Sequence, residues 1–137
     1  MRRLFVILLA TASLCDASRG VAIHRLSPAD ADKLLAEGGV LLLDVRTPKE
    51  FQDGHIPSAR SFPMIGFSER LKELPKDKTQ PVLVYCGTGT RSAKAARILY
   101  GEGYRDIYDL SGGLRAWIAA QKPIQITPPN GKAPSSP

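Results

Sequence analysis

The segment 81–100 constrains the fold most, because a wholly apolar run passes directly into a glycine-rich loop and then into a helix. Pro81 opens this segment, and residues 82–85 read Val-Leu-Val-Tyr, which predicts the central strand of a sheet. The helix predicted over 92–100 carries three alanines, so it can lie close against that sheet. A strand that continues into a helix in this way is typical of the β–α units of α/β proteins.

The rest of the chain repeats this alternation of short apolar strands and helical patterns. Strands are predicted at 21–23, 40–45 and 106–110, and an irregular connection is predicted at 55–63. Helices are predicted from the N-cap residues Ser27 and Thr47, at 67–74, and at 114–121, where Trp117 and Ile118 face inward. The alternation predicts an α/β sandwich with a mainly parallel sheet and right-handed crossovers.

Residues 1–17 are typical of a secretory signal peptide, because two arginines precede an apolar run over 4–12 and small residues precede the end of the segment. The run is shorter than the roughly 20 residues of a membrane span. We therefore expect cleavage near Ala17, no membrane span in the mature form, and a location in the bacterial periplasm. A lipid anchor at Cys15 and an uncleaved signal anchor are the alternatives.

The length of the chain, 137 residues, predicts one folded domain, which we place at 18–121. The segment 122–137 is rich in Pro, Ser, Gly and Lys and has little apolar surface to bury, which predicts a disordered tail. A monomer is the favoured oligomeric state.

The net charge favours small anions and acidic surfaces in general, and a solvated basic surface is the alternative interpretation. Lys and Arg total 19 against 13 Asp and Glu, a formal charge of +6, and the excess is spread along the sequence. No basic stripe is interleaved with aromatic residues, so we expect no nucleic-acid partner.

Cys86 is the candidate nucleophile. The sequence contains two cysteines, and Cys15 is expected to leave with the signal peptide, so the exported chain would keep one thiol without a disulfide partner. Cys86 directly follows the central strand, at the carboxyl edge where open α/β sheets bind their ligands. A buried structural cysteine is the alternative interpretation.

The loop 87–91 reads Gly-Thr-Gly-Thr-Arg and predicts an anion-binding cradle around the sulfur of the cysteine. Glycines permit backbone angles at which consecutive N–H groups converge, and the following helix directs the positive end of its dipole to the same point. We therefore expect the pKa of the thiol to fall below its ordinary value of about 8.5. The predicted binding groups are the backbone amides of Gly87, Thr88, Gly89 and Thr90 and the cation of Arg91.

Arg46 and Arg60 are weaker candidates for binding an anionic substrate. Arg46 follows Asp44 at the end of a predicted strand, and an ion pair with Glu50 is its alternative role. Arg60 would add positive charge that the loop lacks, and a solvated loop arginine is the alternative. His55 is predicted to belong to the fold, because a thiolate already ionised by its surroundings needs no general base.

These residues make the chain resemble the rhodanese domain family over about residues 22–121. The motifs that carry the resemblance are Asp-Val-Arg at 44–46, Glu-Phe at 50–51, Gly-His-Ile-Pro-Ser-Ala at 54–59, Pro63, the run from Tyr85 to Ser92, Leu-Ser-Gly-Gly at 110–113, and Trp117. The resemblance implies a rhodanese-like three-layer sandwich whose central sheet is flanked by helices. It also implies an exported, single-domain thiosulfate sulfurtransferase that needs no metal and no organic cofactor.

The family mechanism implies that the Cys86 thiolate takes the outer sulfur of thiosulfate or a related small anionic donor. The resulting persulfide then passes this sulfur to cyanide or to a thiol acceptor. Four residues separate Cys86 from Arg91, as in sulfur-transferring members, whereas related phosphatases and arsenate reductases have one more. Phosphatase or arsenate reductase chemistry in the same cradle is one alternative, and a non-catalytic module that binds sulfur species or a protein is another.

Overall fold

The computed structural model describes residues 23–128 of the chain. The predicted signal peptide at 1–17, with Cys15, and the segment 129–137 lie outside the described residues. No helix within 23–128 is both long enough and apolar enough to cross a membrane.

The described chain alternates strands and helices around one sheet. In order, the elements are β1 (Ile23–Leu26), α1 (Pro28–Glu37), β2 (Leu41–Asp44), α2 (Pro48–Asp53), β3 (Arg60–Ser61), α3 (Phe67–Arg70), a 3-10 turn (Leu71–Glu73), β4 (Val82–Tyr85), α4 (Thr90–Gly101), β5 (Ile107–Leu110) and α5 (Gly113–Ala119). The strand order is β1-β5-β4-β2-β3, and every neighbouring pair is parallel. The segment 82–85 is therefore the central strand, as predicted.

Helices cover both faces of the sheet and enclose two apolar cores. On one face α3 and α4 pack against the strands, with Phe67 and Leu99 in that core. On the other face α1 and α5 pack, with Ala31 and Trp117 in the second core. Alternate side chains of β4 enter the two cores, as expected for a strand that is buried on both faces. This three-layer α/β sandwich with a parallel central sheet confirms the predicted fold class.

The predicted N-caps are present at α1 and α2. The Ser27 hydroxyl oxygen accepts the N–H of Asp30 at 3.2 Å. Thr47 and Glu50 form a reciprocal capping box, in which Thr47 Oγ1 accepts the Glu50 N–H at 3.2 Å and Glu50 Oε1 accepts the Thr47 N–H at 3.3 Å. The capping box fixes the position of the Glu50 carboxylate at the start of α2.

Two elements differ from the sequence-based expectation. β3 forms inside the segment predicted to be irregular, because Arg60 and Ser61 pair with Leu43 and Asp44 of β2. A strand of two residues offers no apolar periodicity to detect. The helix predicted over 67–74 is divided into α3 and a 3-10 turn, which ends at Glu73. Pro75, two residues later, prevents the helix from continuing.

The prediction that Ile118 faces inward was wrong. Its side chain is 49% exposed, whereas the neighbouring Trp117 is only 1% exposed. Successive residues of a helix are separated by about a quarter of a turn, so the register that buries Trp117 with Leu114 turns Ile118 towards solvent.

Residues 122–128, which the sequence assigns to the disordered tail, lie against the domain. Trp117 Nε1 donates a hydrogen bond to the Pro123 carbonyl at 2.8 Å. The N–H groups of His55 and Gln125 donate to each other's carbonyls at 2.9 and 2.8 Å. The ordered chain therefore continues past residue 121, through backbone hydrogen bonds that composition does not reveal.

Candidate active site

Cys86 directly follows β4, and it is buried, with an exposure of 1%. Its Sγ accepts the N–H of Gly89 at 3.0 Å and lies 3.6 Å from Ser92 Oγ. Gly89 has a φ of +109°, a conformation that L side chains rarely adopt. The glycine thus lets the loop turn back so that its amide reaches the sulfur.

The pKa of the Cys86 thiol lies below its ordinary value. Burial alone raises this pKa, because it disfavours the thiolate. Hydrogen bonds from the Ser92 backbone and hydroxyl and from the amides of Gly89 and Thr88 outweigh burial and lower it. The amide of Gly89 lies on the sulfur, whereas binding of a substrate by the amides of Gly87, Thr88, Gly89 and Thr90 stays a prediction.

The first residues of α5 bind the backbone of the cysteine loop. The N–H groups of Leu114 and Arg115 donate to the carbonyls of Cys86 and Gly87 at 2.8 and 3.1 Å. In a trans peptide the carbonyl and the next N–H point in opposite directions, so this contact turns the following loop amides away from α5. Gly113 permits the close approach, because a Cβ there would collide with the Cys86 carbonyl oxygen and lie 2.7 Å from the Gly87 carbonyl.

Arg91 closes the loop, and its charge is paired with Glu50. Arg91 Nη1 lies 2.8 Å from Glu50 Oε1, and Nη2 lies 3.1 Å from Oε2. The hydrogen bond from Arg91 lowers the pKa of Glu50 to about 2. The pKa of Arg91 is raised, chiefly by Glu50 and in smaller part by the sulfur of Cys86. The alternative role considered for Arg46 was an ion pair with Glu50, and the structure instead pairs Glu50 with Arg91.

Ser92 and Asp109 form a buried contact next to the sulfur. Ser92 Oγ donates to Asp109 Oδ1 at 2.6 Å, and the two residues are 0% and 2% exposed. Asp109 is not among the site residues predicted from the sequence. A signal was available, because a carboxylate stands inside the otherwise uncharged strand Ile-Tyr-Asp-Leu.

Comparison with known proteins identifies the family. The sequence profile of the rhodanese-like domain matches residues 27–120, most of the chain. The chain belongs to the rhodanese-like domain family. The resemblance drawn from the motifs is thereby confirmed.

Three relatives place the chain within the rhodanese-like family. It is 41% identical over 92 residues to a sulfurtransferase of Allochromatium vinosum, covering 67% of this chain and 82% of the relative. It is 33% identical to the thiosulfate sulfurtransferase GlpE of Pseudoalteromonas translucida, covering 73% and 93%. The polysulfide-sulfur transferase homodimer of Wolinella succinogenes superimposes with a TM-score of 0.67 at 31% identity, covering 77% of this chain and 80% of that one.

A cavity of about 350 Å³ opens beside Arg91 on this rhodanese-like domain. Its walls are predominantly apolar, and they are formed by Val45, Thr47, Pro48, Pro63, Met64, Ile65 and Arg91. Ile65 at its rim is 87% exposed. Because Arg91 both closes the cysteine loop and lines this cavity, the cavity places apolar surface beside the loop.

Arg46 is held in the fold by a buried ion pair. Its Nη2 lies 2.7 Å from Asp44 Oδ2 and donates to the Gly54 carbonyl at 2.6 Å. Its side chain is only 7% exposed, and it borders a second cavity, which Glu50 also lines, rather than the cavity at Arg91. The structure thus gives Arg46 a structural ion pair, with Asp44 rather than Glu50 as the partner.

Arg60 and His55 also make contacts away from the loop. The Arg60 guanidinium lies 3.9 Å from Glu73 Oε2 and 5.9 Å from the centre of the Phe62 ring. His55 stacks on Phe51 at 3.8 Å between ring centres. The structure does not bring either residue to the Cys86 sulfur, and a role for Arg60 in binding an anionic donor stays a prediction.

Proposed function

We propose that this protein is a rhodanese-type sulfurtransferase in which Cys86 carries the transferred sulfur as a persulfide. The observation that supports this most is the Gly89 amide at 3.0 Å from the Cys86 sulfur, in a loop that lowers the pKa of the thiol. The relatives named as sulfurtransferases support the same reaction class.

The first half-reaction is an attack of the Cys86 thiolate on the outer sulfur of thiosulfate or a related donor. A new S–S bond forms at Sγ, the S–S bond of the donor breaks, and sulfite leaves with the electron pair. The persulfide charge then lies on the outer sulfur, where the convergent loop amides and the positive end of α4 stabilise it. Cyanide or a thiolate acceptor takes this sulfur and releases the Cys86 thiolate.

The charge of the site bears on the identity of the donor. Thiosulfate is a dianion, but the cation of Arg91 is already paired with Glu50. No other cation is supplied by residues 87–90, and the adjoining cavity is mainly apolar. These features favour a singly charged donor with an apolar organic group, and thiosulfate then serves as a weaker substitute.

Export is part of the proposal and is supported by the sequence of residues 1–17 alone. N-terminal sequencing of the protein recovered from its native host tests it. A mature end near Ser18 supports cleavage of a signal peptide, a lipidated Cys15 supports the anchored form, and an intact Met1 contradicts both.

The test of sulfur transfer is the intact mass of the purified full-length chain after incubation with thiosulfate. We expect a gain of about 32 Da that cyanide removes with formation of thiocyanate. Cys86→Ser should abolish the gain, and the matched Cys15→Ser variant should keep it. Absence of the gain with every sulfur donor, or hydrolysis of an aryl phosphate that is faster than thiocyanate formation, would contradict the proposal.

A further inference from the structure

A buried polar chain leads from Cys86 into the sheet. Ser92 Oγ lies 3.6 Å from Cys86 Sγ and 2.6 Å from Asp109 Oδ1, and it is also 3.2 Å from the Gly89 carbonyl oxygen. Cys86, Ser92 and Asp109 are each no more than 2% exposed. Sulfur transfer uses the Cys86 thiolate, but it gives no role to the Asp109 carboxylate.

The row of polar groups formed by Cys86, Ser92 and Asp109 has too few hydrogen atoms for Cys86 and Asp109 both to be ionised. The Ser92 hydroxyl has one hydrogen, whereas a Cys86 thiolate, an Asp109 carboxylate and the Gly89 carbonyl can only accept. With both ends ionised, two negative charges would lie in the interior with a single donor between them. With one additional proton, the contact of Ser92 Oγ with Cys86 and its contact with Asp109 each have a donor and an acceptor.

We propose that Asp109 stores the proton that Cys86 gives up, with the Ser92 hydroxyl as the relay. In the thiol form the S–H of Cys86 donates to Ser92 Oγ, and the Ser92 hydroxyl donates to the carboxylate of Asp109. When the S–H bond breaks, its proton passes to Ser92 Oγ, and the original hydroxyl proton of Ser92 passes to Asp109 Oδ1. The thiolate then accepts a hydrogen bond from the Ser92 hydroxyl, and protonated Asp109 donates a hydrogen bond to Ser92 Oγ.

This exchange keeps one negative charge in the buried site in both forms. No proton enters or leaves the interior when the nucleophile is made, so thiolate formation requires no access of water to the sulfur. Asp109 acts only through Ser92, so it is a positioning residue for the nucleophile rather than a group that touches the substrate.

The surroundings of Asp109 suit a carboxyl group that holds a proton. Burial raises its pKa, and the hydrogen bond from Ser92 and the charge of Arg25 only partly oppose this. Arg25 on β1 is the charged group that faces it, and its Nε lies 3.9 Å from Asp109 Oδ2 on a side chain that is 67% exposed. At the other end, the charged neighbour of the sulfur is Arg91, whose partner is Glu50.

Asp109→Asn is the informative variant, because the amide has the same shape but carries no charge and cannot store a proton. The thiolate then forms without a competing negative charge behind Ser92. We expect alkylation of Cys86 by iodoacetamide, at a pH below the wild-type midpoint, to become roughly five- to tenfold faster, the size typical of strongly coupled titrating groups. All proteins carry Cys15→Ser so that Cys86 alone reports.

The thiolate absorbance measured against pH gives a second readout. The parent chain should form its thiolate over two steps, because two groups share one proton, and Asp109→Asn should show one step at lower pH. Asp106→Asn, which removes a carboxylate three residues earlier on the same chain segment, should leave the parent profile unchanged. An Asp109→Asn profile that is unchanged or moved to higher pH would overturn the proposal.

Carbon-13 NMR of the side-chain carboxyl of Asp109 tests the proposal without altering that residue. In the parent chain we expect its titration to include a step at the pH where the thiolate forms. In Cys86→Ala the competing negative charge is absent, so Asp109 should titrate in one step at lower pH. The same titration in both proteins would overturn the relay.

The relay rests on the proposed function and explains how the Cys86 thiolate forms. The experiments that test the relay need no sulfur donor. A chain that fails to accept sulfur but shows the coupled titration would contradict sulfur transfer and keep the relay. A protein that accepts sulfur, but whose Cys86 titrates independently of Asp109, would support sulfur transfer and contradict the relay.

Discussion

Glu50 and Arg91 face each other in a bidentate ion pair at the side of the cysteine loop, with N–O distances of 2.8 and 3.1 Å. The capping box with Thr47 holds the carboxylate in place at the start of α2, so the pair needs little further ordering of Glu50. The loop therefore presents a cation whose charge is already compensated.

Replacement of Glu50 by Gln should change how the enzyme uses a dianionic donor. Glutamine retains the length needed for the capping box but leaves the charge of Arg91 uncompensated. We expect the KM for thiosulfate to fall by roughly fivefold, which corresponds to about 1 kcal/mol for a partly exposed charge. Steady-state thiocyanate formation measures this change.

Asp32→Asn is the matched control for that experiment. Asp32 pairs with Lys122 at 2.6 Å in an ion pair that is also partly exposed, and the Asp32 side chain makes no hydrogen bond with the cysteine loop. Its KM should stay at the wild-type value. A higher KM in Glu50→Gln would show instead that Glu50 serves to position Arg91 and that its charge has little influence on the donor.

Gly113→Ala should disrupt the cysteine loop. Gly113 has a φ of +61°, and an added Cβ would collide with the Cys86 carbonyl oxygen. The backbone cannot yield without breaking the contacts of α5 with that loop, so we expect a loss of more than about 2 kcal/mol in the free energy of unfolding, together with the activity. Urea denaturation measures the former.

Gly101→Ala provides the comparison, because a Cβ at the end of α4 would meet no atom within 4 Å. This variant should unfold at or above the wild-type urea concentration. Equal stabilities of the two alanine variants would contradict the role given to Gly113.

The central part of this fold could be predicted because each local signal agreed with the next. The apolar run of β4, the glycine loop and the helix that follows are contiguous, so their relation in space follows from the chain itself. The capping signals at Ser27 and Thr47 are likewise local, since each hydrogen bond spans three residues. Cys86 could be selected for the same reason.

The remaining parts depend on contacts between distant segments. The side chain of Asp109 meets Ser92 only after β5 is placed beside β4, and Glu50 meets Arg91 only after α2 is placed beside the loop. Sequence spacing suggested Arg46 as the nearer partner of Glu50, but Asp44 binds Arg46 more closely, two residues away. The charge pairs around the site therefore could not be assigned from separation along the chain.

The apolar cavity should favour donors with an organic group. Benzenethiosulfonate and methanethiosulfonate share the same reacting sulfur and charge and differ in the apolar surface that they bury. We expect kcat/KM to be roughly tenfold higher for the benzene compound, and higher for both than for thiosulfate. A preference for thiosulfate would contradict the proposed donor class while leaving sulfur transfer intact.

Ile65→Ser identifies the surface responsible for that preference. Ile65 is 87% exposed at the rim of the cavity, so its replacement should not affect folding. The variant should lose part of the preference for the benzene compound and keep its rate with the methane compound. Ile126→Ser, at a side chain that is 62% exposed and does not line the cavity, should behave as wild type.

The ion pair of Glu50 and Arg91 should make stability depend on acid in a defined range. The pKa of Glu50 is lowered to about 2 in the folded chain from an ordinary value of 4.5, chiefly by the hydrogen bond from Arg91. A carboxyl group with a lower pKa in the folded state stabilises that state fully above 4.5, and the contribution is lost as the pH falls from 4.5 towards 2. The pair is about 40% exposed on each side, so we expect less than about 1 kcal/mol.

The measurement is the free energy of unfolding in urea at pH 7, 5 and 3 for wild type and Glu50→Gln. Glutamine does not titrate, so the difference between the two proteins isolates this carboxylate from the other acids, including Asp109, whose raised pKa acts in the opposite direction. The advantage of wild type should be nearly equal at the two pH values above 4.5, and it should shrink at the lowest one. An advantage that is the same at all three pH values would show that folding does not lower the pKa of Glu50, and it would contradict the contribution assigned to its ion pair with Arg91.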